Sequence, residues 1–221
     1  MTTIRRKLVP EMEGPMARWY ARQRGSAPQL AAYRRQAAAL VADLPAGAAV
    51  LEVAPGPGYL SIEIARLGFA VTALDISHTF VVLGAARAVA EGVRVDFRHG
   101  DVADLPFNSD IYDLVVCQAA FKNFVNPVTA LDEIHRVLRP GGVAVIQDMN
   151  RGATADDIRA DVAGMHLSRL NSAVTRSTLT ALRRRAYAAA DFERVAADSA
   201  FGGSTTHADG MMLEVRLTKR A

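Results

Sequence analysis

Two periodicities of apolar positions divide this chain. Between residues 48 and 150, short and almost wholly apolar runs alternate with helical stripes. AAVLEVA (48–54), AVTALD (70–75), VRVDFRHG (93–100), YDLVVCQ (112–118) and GVAVIQDMN (142–150) read as strands. Tyr59–Leu67, the stretch from Ser77 to about Ala90, and Pro127–Leu138 read as helices between them. Ser77 is an N-cap residue type, Pro127 suits a first helical turn, and Pro140-Gly141 ends the last helix. Strands apolar on both sides need helices on both faces. Strand–helix alternation at this spacing therefore predicts a parallel, doubly wound α/β sheet.

The flanks read differently. Residues 15–24 and 28–43 form two helices, the second with a stripe of Leu30, Tyr33, Ala37, Leu40 and Val41, stopped by Pro45 and Gly47. Residues 153–171 and 175–199 read as two further helices. The chain closes on a hairpin, with 204–207 and 211–219 joined by Ala208-Asp209-Gly210. This gives an N-terminal helical lid over 1–44 and one globular unit over 45–221.

Composition narrows the chemistry. The 221 residues are half hydrophobic, enough for a full core without covalent staples. One cysteine, Cys117, leaves no intramolecular disulfide and no zinc site built on Cys pairs. The five histidines (His78, His99, His135, His166, His207) show no H-E-x-x-H spacing, so no metal is expected. No apolar run approaches the ~20 residues of a membrane span. The N-terminal segment has a basic triplet but no apolar core of a signal peptide. A cytoplasmic protein without a membrane partner is the expectation. Residues 1–40 carry eight basic and two acidic side chains, whereas 41–135 carry five and twelve. A basic arm on an acidic body raises a nucleic-acid partner. No Lys/Arg run is interleaved with aromatics, so none is expected. A homodimer stays open.

The segment Glu52-Val53-Ala54-Pro55-Gly56-Pro57-Gly58-Tyr59 carries most of the functional argument. A strand runs into a turn with two glycines and then a helix, at the strand end where open α/β sheets bind ligands. A dinucleotide fingerprint places a third glycine where this chain has Ser61. Glu52, an anion inside the strand, suits no pyrophosphate. It suits a ligand with cationic groups, such as the ammonium and sulfonium of S-adenosylmethionine (SAM). Asp75 ends the second strand and suits ribose hydroxyls, and Asp101 after the third strand suits an adenine amino group.

EVAPGPGYL, LDIS, GDVADLPF, YDLVV and LRPGG, in this order, resemble the class I SAM-dependent methyltransferases. The likeness is strongest to the small-molecule branch called methyltransferase type 11. The resemblance implies a Rossmann-like seven-stranded sheet of order 3-2-1-4-5-7-6 with strand 7 antiparallel. It implies that Glu52, Ala54, Gly56 and Gly58 line the methionine part and that Asp75 binds the ribose with Ile76 on adenine. Asp101 and Val102 would hold adenine, and Gln118 would face the transferred methyl. Many relatives have glycine at Ala54, where alanine fits if φ is negative.

The acceptor side is less legible. Gln118–Phe124 is similar to a loop of ubiquinone/menaquinone C-methyltransferases, and Lys122 is the candidate catalytic residue, placed to steady an oxyanion. Trp19, Tyr20 and Tyr33 are candidates to close over the cofactor, with Tyr20 preferred as a contact. His166 and His207 are candidates to reach the pocket from the C-terminal cover. The expected function is methyl transfer to a small molecule at O, N or C, producing S-adenosylhomocysteine (SAH). The alternatives are the same fold turned to cyclisation or decarboxylation, and a nicotinamide-dependent oxidoreductase.

Overall fold

A computed structural model describes residues 11–165 and 168–220. One seven-stranded sheet forms the centre: β1 (Ala49–Val53), β2 (Ala70–Asp75), β3 (Val95–His99), β4 (Tyr112–Gln118), β5 (Leu138–Met149), β6 (Thr205–Asp209) and β7 (Met212–Thr218). Its order is β3-β2-β1-β4-β5-β7-β6. The first five strands are parallel, and β7 runs antiparallel to both β5 and β6. This is the sheet that the resemblance implies.

Alternation along each strand splits the core in two. Val50, Leu114, Val116 and Val145 face α2 (Ala27–Val41) and α3 (Tyr59–Arg66), packing with Tyr33, Ala37, Leu60 and Ile64. Leu51, Val53, Val115 and Cys117 face the other way, toward α5 (Pro127–Val137) and α8 (Ala189–Ala197). Leu131, Ile134 and Phe192 complete that layer. Each such fully buried side chain contributes about 1.5–3 kcal/mol relative to exposure.

The N-terminal helices are fastened to the body. Glu13 precedes α1 (Gly14–Arg24), and its carboxylate accepts from the backbone N–H of His78 and Thr79 at 2.8 and 3.1 Å. Those amides open α4 (His78–Ala90), so an acid 65 residues upstream helps cap this helix at its positive end. Ser77 Oγ donates to the Met12 carbonyl at 2.7 Å.

The structure corrects the reading of 153–199 as two helices. Three are present: α6 (Ala155–Gly164), α7 (Arg169–Arg183) and α8. Ser168 caps α7, its hydroxyl accepting from Asn171 N–H. Between α7 and α8 the chain leaves helical geometry so that Tyr187 is buried against Phe121 and Phe192 beside Asn150. Alanine-rich helical periodicity masks that excursion. The hairpin turn is Gly210-Met211, two residues beyond the expected start, because Asp209 pairs Met212. No described helix is long and apolar enough to cross a membrane.

Candidate functional site

Beyond the carboxyl ends of β1, β2 and β4 lies a cavity of about 320 Å³. Its floor is the turn after β1. Gly56 (φ 55°) and Gly58 (φ 76°) both adopt left-handed backbone there. A Cβ on Gly56 would meet no atom within 4 Å, so its open side faces the cavity, whereas one on Gly58 would stand 2.5 Å from Phe97. Gly56 leaves room for a ligand, and Gly58 leaves room for the protein.

Three acids stand at successive strand ends. Asp75 is buried, and its two oxygens accept from Gly56 N–H at 2.9 Å and Ser77 N–H at 2.8 Å. Burial pushes its pKa up to about 6 against the pull of those amides. Glu52 is fully enclosed in β1, with burial pushing it up to about 7. Its partner is the Ser61 hydroxyl, which donates from the first turns of α3. The residue standing in place of a third glycine is therefore the second half of a buried polar pair. Asp101 is exposed and accepts from Ala103 N–H at 3.0 Å, which shapes the turn that carries Val102.

Of the residues expected at the cofactor, Tyr20, Glu52, Ala54, Gly56, Asp75, Ile76, Asp101, Val102 and Gln118 all line this cavity. Gly58 lies one step behind it, against Phe97. Tyr20 meets Phe80 edge-on at 5.9 Å, and both rings form the wall on the side of α1. Ala54 departs from expectation, for its φ is 55°, in the left-handed region. Its N–H donates to the Leu74 carbonyl at 2.8 Å, and this bond ties the end of β1 to β2.

Lys122 is placed elsewhere. It sits in a 3-10 turn (Phe121–Asn123) after β4, with its ammonium on Asp148 at 2.6 Å and only 12% of its side chain exposed. Asp148 also accepts Lys122 N–H at 3.0 Å and Met149 N–H at 2.7 Å. The ion pair fastens the loop to β5, and Lys122 does not line the cavity. Trp19 is exposed on α1, not folded over the site. None of the described histidines lines the cavity, and His166 lies outside the described residues.

Sequence reasoning missed Arg24. Its guanidinium donates to Tyr33 Oη at 2.8 and 3.0 Å, and both residues reach the cavity. Tyr33 stacks on Tyr59 at 5.6 Å, and Tyr59 donates to the Ala21 carbonyl at 2.7 Å. Arg24 is the one cation among the described residues of the wall. Its neighbours Arg18 and Arg22 are exposed, so helix position alone gave no sign of it.

A sheet of this order with an antiparallel seventh strand defines a Rossmann-like α/β protein, with an acid-lined cavity over a glycine turn at the carboxyl ends of its strands. A family model described as "Methyltransferase domain" matches residues 51–146. A demethylmenaquinone methyltransferase of Clavibacter sepedonicus is 41% identical over 101 residues, 46% of this chain and 41% of that protein. The chain spans about half the length, or less, of the curated relatives it matches. Among solved structures, a SAM-dependent methyltransferase of Aquifex aeolicus shares the fold, with TM-score 0.68, 14% identity, and coverage of 91% of this chain and 97% of that one. The cyclase SpnF is 27% identical, with TM-score 0.54, over 59% of this chain and 49% of its own.

Proposed function

We propose that the chain binds SAM in this cavity and directs its methyl group to a small-molecule acceptor, leaving SAH. The observation that carries the reading is the charge order of the wall. Glu52, Asp75 and Asp101 stand at three successive strand ends, Glu11 and the cation Arg24 join the lining from the N-terminal segment, and Gly56 is open on the cavity side. A ligand with an ammonium, a sulfonium, a carboxylate and a ribose diol fits that order. Glu52, raised by burial without a cation, gains a partner. Arg24 and Tyr33 are set for the methionine carboxylate, Asp75 for the ribose diol, and Ile76 for the adenine face. Asp101 and the backbone of Val102 are set for the adenine edge, and Gln118 for the methionine end.

When bound, SAM supplies a methyl carbon already activated by its sulfonium. The chain's own residues then align and enclose. Ala119, Ala120 and Phe124 give the far wall an apolar lining suited to a small acceptor. Helices α1 and α2 act as the lid through Tyr20, Arg24 and Tyr33. The matched segment 51–146 builds the cofactor half and part of this wall. The acceptor, and whether O, N or C is methylated, depend largely on the flanking cover.

The likeness to SpnF favours one second reading, in which the same cofactor site serves non-methylating chemistry. Titration calorimetry with SAM, SAH and NAD, on wild type and Asp75→Ala, tests the site. Micromolar SAM or SAH binding, lost in Asp75→Ala with NAD silent, is expected. NAD binding without SAM or SAH would overturn it. Release of SAH with an acceptor panel then separates methyl transfer from cyclisation.

A further inference from the structure

Helix α7 is built inside out. Its 15 residues include none that is buried, and its strongest apolar stripe faces solvent. Leu170, Val174 and Ala181 fall within about 40° of one another around the axis at ~100° per residue. Leu170 is 74% exposed and Val174 59%. The half-buried residues Ser172, Thr175 and Leu179 lie on the opposite side, where α7 meets α6. An isolated soluble helix packs its apolar stripe inward, so this stripe is reserved for something else.

The charge of its own stretch of chain is one-sided, while the acids Asp156, Asp157 and Asp161 belong to α6 behind it. From residue 162 to residue 190 the chain has five arginines and no acidic side chain. Arg169, Arg176 and Arg184 meet no carboxylate among the described residues. Apolar residues on one face and arginines on the flank and polar face are the signature of a helix lying in an anionic lipid interface. Such a helix needs no membrane span, so a membrane partner is open to this chain although the sequence led to the expectation of none. The hairpin α6–α7 leaves the sheet after β5, at the carboxyl edge where the cavity also opens.

We propose that α7 docks this chain on the surface of an anionic lipid bilayer, with Leu170 and Val174 inserted and the flanking Arg169 and Arg184 on the headgroups. The surface works independently of what fills the cavity. Vesicle flotation at physiological salt tests it, using phosphatidylglycerol–phosphatidylcholine vesicles against pure phosphatidylcholine. Wild type floats with the anionic vesicles and not with the neutral ones. Arg169→Gln/Arg184→Gln weakens binding about 20-fold, from about fivefold for each basic residue at such a surface. Leu170→Ser/Val174→Ser weakens it at least tenfold. Circular dichroism and SAM affinity stay unchanged in both variants, so a failure here is distinct from a failure of the cofactor reading. Equal flotation on both vesicle types overturns the proposal, as does wild-type binding by either variant. So does sedimentation showing a dimer that Leu170→Ser/Val174→Ser dissociates, which would give the stripe to a second copy of the chain.

Discussion

Replacing Ala54 by glycine should stabilise the protein, although it removes a methyl group from the turn that follows β1. The residue sits at φ 55°, and an L-residue in that region is disfavoured by roughly 1–2 kcal/mol. Glycine escapes the penalty but loses about 0.4–1 kcal/mol through the greater freedom of the unfolded chain. The difference is a net gain of about 0.5–1 kcal/mol. For a domain of this length that raises Tm by about 1–4 °C. The neighbouring glycines calibrate the argument. Gly56 has the same φ and open space at its Cβ, so Gly56→Ala adds backbone strain alone. Gly58→Ala adds strain and a methyl 2.5 Å from Phe97. Thermal melts of the ligand-free protein should rank Ala54→Gly above wild type, then Gly56→Ala, then Gly58→Ala. Urea melts should show the same order with unchanged m-values. A Tm for Ala54→Gly at or below wild type would refute the strain account. It would mean that the alanine methyl makes contacts worth more than the left-handed penalty.

Lys122→Met leaves the Asp148 carboxylate buried without its cation and should destabilise by about 3 kcal/mol, with Lys122→Met/Asp148→Asn recovering part of the loss. A Tm unchanged in the single variant would return Lys122 to a role in the reaction. Glu52 has its folded pKa raised to about 7 from 4.5. Its contribution is therefore fully present below pH 4.5 and is lost as pH rises through about 7. Glu52→Gln should match wild type in Tm at low pH, exceed it increasingly toward pH 8, and bind SAM more weakly. A constant Tm offset across pH 5–8 would show that Glu52 does not titrate in that window. Arg24→Ala should weaken SAM binding about 10- to 100-fold through loss of a charge-assisted hydrogen bond, with Arg24→Lys intermediate. Equal affinity in all three proteins would remove Arg24 from the carboxylate site.

What could be read from the sequence divides along the same line as the physics. The parallel strands are apolar runs because both faces are buried, and the turn after β1 needs glycine for reasons of backbone geometry. Both leave marks in residue type, so the sheet and the acids at its edge were legible. Ala54 defeated the rule that left-handed positions take glycine, since nothing in an alanine announces its φ. Ser61 was legible only as a missing glycine, because its pairing with Glu52 spans a turn that brings α3 back over β1. The partners of Arg24 and Lys122 were illegible for a common reason. A long cation finds its partner through tertiary placement, and neither Tyr33 nor Asp148 lies within one helical turn of the cation it binds. Helix α7 shows the converse. The expected helices stop at 171 and resume at 175, so Leu170 and Val174 are apolar in the sequence, but only the structure joins them on one stripe and shows which way it faces. An inward stripe would make Leu170 and Val174 ordinary core. Facing outward, with α6 behind, they make the same periodicity a surface waiting for an apolar partner, and the arginines beside it select that partner's charge.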